Sequence, residues 1–333
     1  MENSEYRLDE LDQRILHEME GDGRQSVSDL ARKLGTSRAY ASRRLQRLLD
    51  RKITRIAAFT NPYVLGYRVF AIMGIRVLPS AIHSVADQLG TMPNVHLVIT
   101  AAGRNDILIW TMFQTQSELS HFLGRGIGAV PSITSVETMI VLEIRKISFS
   151  SLGALNAAKE PPAPAPIPMA HGIPEIDEVD LMILREMERD GRQSVSDLAK
   201  KIGASRAYTA NKLQRLLEQQ CTRIMAFTNP LYLGYRMFAM IGIKVAPGQI
   251  DVASEKLSAL SEVQTVVRVT GRYDLIVSTM FRTPPDLSNF LVKEIGSIPG
   301  IVSLETNIGL GLRKISLHYL ASSYTGEVKA RAR

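Results

Sequence analysis

The chain has one cysteine, Cys221, and one tryptophan among 333 residues, and aromatic side chains make up only 6% of it. A lone cysteine excludes an intrachain disulfide and any cysteine-rich metal site, and reads as a small buried side chain. Long apolar runs are missing as well. No stretch approaches the roughly 20 residues of a spanning helix, and the opening segment, Met1 to Glu10, is acidic and polar with no apolar core behind it. A cytoplasmic location is therefore expected. The histidines show no metal-ligand spacing, and no catalytic residue, metal or cofactor is expected.

What is present is a globular composition, 45% hydrophobic against 22% charged, in a chain long enough for roughly two to four domains. Lysine and arginine number 40 against 33 acids, a net charge of +7. An excess of that size favours a polyanionic partner only weakly, so its placement says more than its sum.

The chain is one module written twice. Gly23-Arg24-Gln25-Ser26-Val27-Ser28-Asp29-Leu30 recurs from Gly191 to Leu198, an offset of 168. The same offset carries Ser37-Arg38-Ala39-Tyr40 to Ser205, Ala58-Phe59-Thr60-Asn61-Pro62 to Ala226 and Arg145-Lys146-Ile147-Ser148 to Arg313. A period this long marks a folded unit, not one turn of a solenoid. Between the copies, Pro161-Pro162-Ala163-Pro164-Ala165-Pro166 lacks hydrophobic periodicity and reads as an extended linker. The expected organisation is a helix-turn-helix domain over 1–60, a second domain over 61–150, a linker over 151–172, the repeated pair over 173–228 and 229–320, and a basic tail over 321–333.

Leu8, Leu11, Ile15, Leu16 and Met19 mark one helical stripe, and Val27, Leu30, Ala31 and Leu34 a second. Ser26 followed by Asp29 signals the start of the second helix, and Gly35 its stop. A third helix opens near Ser37 and buries Ala41, Leu45, Leu48 and Leu49, which turns Ala39, Tyr40, Arg43 and Arg47 outward with Arg44 and Arg51 beside them. Charge runs are often simply solvated. Here, however, Arg38, Arg43, Arg44, Arg47, Arg51, Lys52 and Arg55 face a single acid, Asp50. A solubility face mixes both signs, whereas arginine serves both phosphate contacts and bidentate guanine recognition. A three-helix unit with a basic last helix is the arrangement that enters the major groove of double-stranded DNA.

The second part of the module predicts strands over 69–77, 95–100, 107–113 and 133–147, with a helix between Pro79 and Pro93 and another carrying Leu119, Phe122, Leu123 and Ile127. The order βαββαβ is that of a ferredoxin-like sandwich, so the fold class is α+β: two copies of a winged helix-turn-helix domain followed by such a sandwich. The strands are too apolar on both faces for free solvent, and the duplicate copy is the obvious partner, which implies an internal pseudo-dimer.

These features resemble the Lrp/AsnC family of feast/famine regulators. Leu8-Asp9-Glu10-Leu11-Asp12-Gln13-Arg14-Ile15-Leu16 is similar to the family's opening helix, the stretch from Ser26 to Ser37 to its helix-turn-helix, and Gly271-Arg272-Tyr273-Asp274 to its Gly-x-Tyr-Asp turn. The first copy departs from that turn, reading Gly103-Arg104-Asn105-Asp106. From the residues alone either turn is also an ordinary tight hairpin, with glycine supplying a positive φ and aspartate a local hydrogen bond. The resemblance implies a small-molecule effector, an amino acid or a related metabolite, bound near these turns. It also implies a homo-oligomer of two to four chains, since one fused chain equals a family dimer.

Fusion frees the two recognition helices to diverge. Arg38, Tyr40 and Arg47 are kept as Arg206, Tyr208 and Arg215, but Arg43 becomes Asn211 and Arg44 becomes Lys212. Arginine is the common reader of guanine and asparagine of adenine, so an asymmetric operator is expected, with more phosphate binding from the first module. Two alternatives stand beside this reading. One is a DNA-compacting architectural protein in which phosphate contacts dominate. The other is an enzyme resembling sirohaem decarboxylases, although His96 and His121 are replaced by Gln264 and Asn289 in the second copy.

Overall fold

The structure, a computed structural model, describes residues 8–148, 174–316 and Leu320. The expected linker and basic tail lie outside the described residues. In the first copy the elements are α1 (Glu10–Gly21), α2 (Val27–Leu34), α3 (Arg38–Asp50), β1 (Thr54–Thr60), β2 (Val69–Val77), α4 (Ile82–Thr91), β3 (Val95–Ala102), β4 (Ile107–Phe113), α5 (Gln116–His121) and β5 (Ile133–Ile147). The second copy repeats them as α6 (Glu178–Arg189), α7 (Val195–Ile202), α8 (Arg206–Glu218), β6 (Thr222–Thr228), β7 (Met237–Val245), α9 (Ile250–Ala259), β8 (Val263–Val269), β9 (Leu275–Phe281), α10 (Pro284–Asn289) and β10 (Ile301–Ile315).

Local chemistry sets the helix ends. The Ser26 side chain accepts from the Asp29 backbone N–H to start α2, and Gly35, at φ 67°, ends it in the left-handed conformation that glycine adopts without penalty. Asp9 and Asp12 form a reciprocal capping box on α1, and Asp177 and Asp180 repeat it on α6. The helix expected to carry Leu119 through Ile127 is α5 continued by a π-turn over Phe122–Gly126 and a 3-10 turn over Ile127–Ala129. The second copy makes the same turns over Phe290–Glu294 and Ile295–Ser297 with Val292 and Glu294 in place of Gly124 and Gly126, and what the copies share is the burial of Phe122 and Ile127, matched by Phe290 and Ile295.

Residues 54–60 are apolar on both faces, so periodicity alone leaves them unassigned. They form β1, whose partner is β6 of the other copy: Thr54 pairs with Thr228, Ala57 with Met225 and Thr60 with Thr222. This ladder joins the two helix-turn-helix units over one core, with Ile15, Leu30, Leu48 and Ile53 packed in the same cluster as Ile183, Leu198, Leu216 and Ile224. Burying each such side chain stabilises by about 1.5–3 kcal/mol. The Gly23 N–H donates to the Ile224 carbonyl at 2.9 Å, and the Gly191 N–H to the Ile56 carbonyl at 3.0 Å. Farther in, Thr60 Oγ1 of the first copy donates to the fully buried Glu188 of the second at 2.6 Å.

The two βαββαβ units meet edge to edge at both ends and close an eight-stranded barrel in the order β10-β3-β4-β2-β5-β8-β9-β7. Each pair of helices covers one outer face, as Val85, Leu89, Leu119 and Phe122 do over β2 and β4. The inner faces fill a shared core in which Ile72, Leu108, Met139 and Val141 meet Met240, Val267 and Ile276. The internal pseudo-dimer expected from two-faced apolar strands is thus what the chain forms. Its two seams differ. Across β5 and β8, Arg268 pairs with Glu143 at 3.5 Å and with Asp251 at 3.0 Å, and Arg145 reaches Asp251 at 2.7 Å. Across β10 and β3 the matching positions are Gly311, His83 and Thr100, and Arg313 lies 3.9 Å from Asp87.

Two outcomes follow from this packing. A Cβ at Gly23 would sit 2.9 Å from the Met225 backbone nitrogen and one at Gly191 3.0 Å from Ala57 Cα, whereas Gly21 has open space. Gly23→Ala and Gly191→Ala should each destabilise by about 1–3 kcal/mol and lower the melting temperature, with Gly21→Ala neutral or slightly stabilising; equal melting of all three in calorimetry would contradict the close approach. The second concerns His96, buried beside Tyr67, whose ring is 6.1 Å away. Burial, with Lys314 adding to it, pushes its imidazole down to about 3. The stability contributed is full above the unfolded value near 6.5 and is lost as pH falls towards 3, by about 1.4 kcal/mol per pH unit. His96→Gln, the residue found at position 264, should flatten the fall in melting temperature between pH 6.5 and 4.5, and an unchanged pH profile would show that His96 is not its source.

Candidate nucleic-acid interface and effector site

The outward face of α3 begins with the chain that folds it. Ser37 caps the helix, accepting from the Tyr40 N–H, and Ala41, Leu45 and Leu48 bury the opposite side. Arg38, Tyr40, Arg43 and Arg47 are all exposed, and a concavity of about 320 Å³ is lined by Tyr40, Arg43, Arg44 and Arg47. Around this depression the exposed Arg43 and Arg47 guanidinium groups and the Tyr40 hydroxyl can engage phosphate oxygens and base edges together. On α8, Arg206, Tyr208 and Asn211 are likewise exposed.

Arg44 and Lys212 stand apart from these. Each has only 13% of its side chain exposed and is held by the capping-box aspartates of the first helix in its own copy. Arg44 contacts Asp9 and lies 3.3 Å from Asp12, and Lys212 contacts Asp177 and lies 3.3 Å from Asp180. Asp12 and Asp180 are fully buried, so these pairs fix the recognition helix against the opening helix. The Lys212 hydrogen bond, more than any other cause, holds the Asp177 carboxyl down at about 2. Arg44 also sits over the Tyr40 ring at 5.5 Å, and Lys212 over Tyr208 at 5.7 Å. Asp9 and Asp12 entered the sequence reading only as part of the opening-helix motif; the pairing of the four aspartates with the third helix escaped it, although their recurrence at the 168-residue offset opposite a basic third helix was the available signal.

The two glycine turns lie against the other copy's last strand. Gly103, at φ 142°, is pressed onto β10, where a Cβ would meet the Thr306 carbonyl oxygen at 2.9 Å; Gly271, at φ 99°, lies more loosely over Thr138 and Met139. Asp106 accepts from the Val77 N–H at 2.9 Å and Asp274 from the Val245 N–H at 2.8 Å, so both carboxylates complete the backbone hydrogen bonding of their own sheets. Arg104 pairs with Glu137 at 3.0 Å and lies 4.0 Å from Glu305, while Arg272 pairs with Glu305 at 3.0 Å. The two turns thereby meet at Glu305, with Glu137 holding Arg104. The recurrence of the two glutamates in Ser135-Val136-Glu137-Thr138 and Ser303-Leu304-Glu305-Thr306 was legible but unused.

The third turn position differs between copies. Tyr273 is buried with its ring against Gly242, where a Cβ would come within 2.6 Å, and its hydroxyl donates to Glu305 at 2.7 Å. Burial first, and the Glu305 carboxylate second, push that hydroxyl well above the ordinary tyrosine value. Asn105 occupies the matching place over Gly74, and its backbone N–H donates to Asn307 Oδ1 at 3.1 Å. The shorter side chain leaves Glu137 without a tyrosine hydroxyl. Among the described residues no group of three or more histidine, cysteine, aspartate or glutamate side chains is placed to hold a metal ion, and no helix is long and apolar enough to cross a membrane.

Comparison with known proteins agrees with this arrangement. The AsnC-type helix-turn-helix domain matches residues 8–49 and 176–217, and the Lrp/AsnC ligand binding domain residues 70–150 and 238–316. An HTH-type transcriptional regulator of Pyrococcus furiosus is 34% identical over 144 residues, covering 43% of this chain and 97% of the relative. The HTH-type transcriptional regulator FL11 of Pyrococcus abyssi is 32% identical over 140 residues, covering 42% of this chain and 92% of that one. Each spans about one module. Over the whole length the fold matches the crystal structure of the siroheme decarboxylase NirDL, with a TM-score of 0.67, 14% identity, and 94% and 96% of the two chains covered; a likeness at that identity concerns architecture alone. The chain belongs to the Lrp/AsnC family of helix-turn-helix transcription regulators and carries that family's module twice.

Proposed function

We propose that this protein regulates transcription by binding a specific, asymmetric DNA site with its two unlike recognition helices, and that a small metabolite acting at the glycine turns adjusts that binding. The observation that carries the reading is the exposed face of α3, where Arg38, Tyr40, Arg43 and Arg47 project from a helix whose other side is locked into the core. Arg43 suits a guanine edge, and Asn211, at the matching place on α8, an adenine edge, each worth about 1–3 kcal/mol of discrimination. The β1·β6 ladder fixes the two helices relative to each other, so both half-sites are read in one register.

The effector part rests on the clustering of Arg104, Arg272, Glu137 and Glu305 between the two turns. Both signs of charge are available there to the carboxylate and ammonium of an amino acid, and the contacts join the two modules. A ligand that bound one arrangement of the turns better than another would shift the balance between them. Leu142 on β5 and Val302 and Leu310 on β10, which face solvent, supply apolar surface for association of chains into an oligomer.

Binding to a fluorescent fragment of the protein's own promoter region, with unlabelled random DNA as competitor, tests the regulatory reading. Wild type should hold the fragment against excess competitor, and Arg43→Ala/Arg47→Ala should lose that preference and flatten the salt dependence by about two phosphate contacts. Tight binding that random DNA competes away equally would favour a compacting protein instead.

A further inference from the structure

The two recognition helices differ in a way that alignment of their outward faces does not show. Arg47 is exposed and takes part in no ion pair among the described residues. Its counterpart Arg215 is only partly exposed, because its guanidinium turns back onto the buried Asp180. The backbone does not account for this, since the capping boxes, helix bounds and N-caps agree between copies. Of the basic residues that contact both aspartates among the described residues, the one that changes is Arg44, which is Lys212 in the second copy; beside Asp180 and Arg215, Ile53 is also replaced, by Cys221.

We infer that residue 212 decides whether Arg215 is available to DNA, and so acts as a positioning residue that weakens the second half-site contact. A guanidinium carries separate nitrogens on a planar fork, and Arg44 uses them that way: Nη2 goes to Asp9 and Nη1 to Asp12, at 3.3 Å. An ammonium is a single point charge. Lys212 Nζ is drawn to Asp177 and lies 3.3 Å from Asp180, so one nitrogen serves two carboxylates. Asp180 is fully buried, and a buried carboxylate demands close, hydrogen-bonded countercharge. Arg215, one helical turn beyond Lys212, supplies it. In the first copy Arg44 reaches both aspartates and Arg47 stays turned outward.

This inference rests on the proposal that α3 and α8 face DNA, and two readouts keep the ideas separable. In the absence of DNA, Arg215→Ala should lower the melting temperature while Arg47→Ala leaves it nearly unchanged, and the Arg215→Ala loss should shrink in a Lys212→Arg background. With DNA, Lys212→Arg should tighten binding several-fold and steepen the log–log salt slope by about 0.9, the value of one extra phosphate contact. That gain should vanish in Lys212→Arg/Arg215→Ala. In the converse exchange, Arg44→Lys should flatten the slope by drawing Arg47 back to Asp12. Equal melting of Arg215→Ala and Arg47→Ala would overturn the inference, as would an unchanged salt slope in Lys212→Arg. Loss of all DNA binding with the melting pattern intact would instead overturn the DNA reading and leave the positioning role standing.

Discussion

Strands of one copy pair with strands of the other at every level of this molecule, and the rest depends on that pairing. A four-stranded sheet with helices on one face leaves its second face bare, and the residues on that face, Ile72, Leu108 and Met112 among them, are as apolar as those under the helices. Water on such a surface is unfavourable by about 25 cal/mol for each Å² of apolar area. Closing the barrel removes both the bare face and the free sheet edges. The β1·β6 ladder does the same for the helix-turn-helix units, whose single short strand would otherwise have no partner. Joining the copies in one chain makes this pairing intramolecular and independent of protein concentration.

Fusion has a second consequence, because matched positions no longer share one codon. The centre of the barrel shows it in Asn105 against Tyr273, and the seams in Gly311 and Thr100 against Glu143 and Arg268. On the third helix of each copy the same freedom separates Arg43 from Asn211 and Arg44 from Lys212. Apart from the half-buried Arg44 and Lys212, these differences lie on exposed faces, in turns and along seams, while core positions such as Ile15 and Ile183 or Leu48 and Leu216 stay apolar. The scaffold is held symmetric by packing, and the outward face of the third helix and the glycine turns have drifted apart.

Most of the fold was legible in the sequence because its signals are local. The stripes of α1 to α3, the Ser26 cap, the Gly35 stop and the bounds of β2, β4 and β5 each follow from residues within a few positions of one another. The outward face of α3 was legible for the same reason. Features set by distant partners were not: β1 pairs with β6, from Thr54 with Thr228 to Thr60 with Thr222, and no periodicity announces it. The roles of Arg44 and Lys212 were hidden likewise, since a basic residue on a helix flank looks the same whether it faces phosphate or a buried aspartate. The glycine turns were found as turns, but their contacts with Glu137 and Glu305 depend on closure of the barrel.

The central claim is that one chain presents two unlike DNA-reading surfaces in a fixed relative position. Selection of binding sites from a random DNA pool tests it most directly. The account predicts enriched sites with two different half-sites a whole number of helical turns apart, each turn being about 10–10.5 base pairs, with guanine favoured at one matching position and adenine at the other. A palindrome with identical halves, or a pool that shows no enrichment, would contradict it.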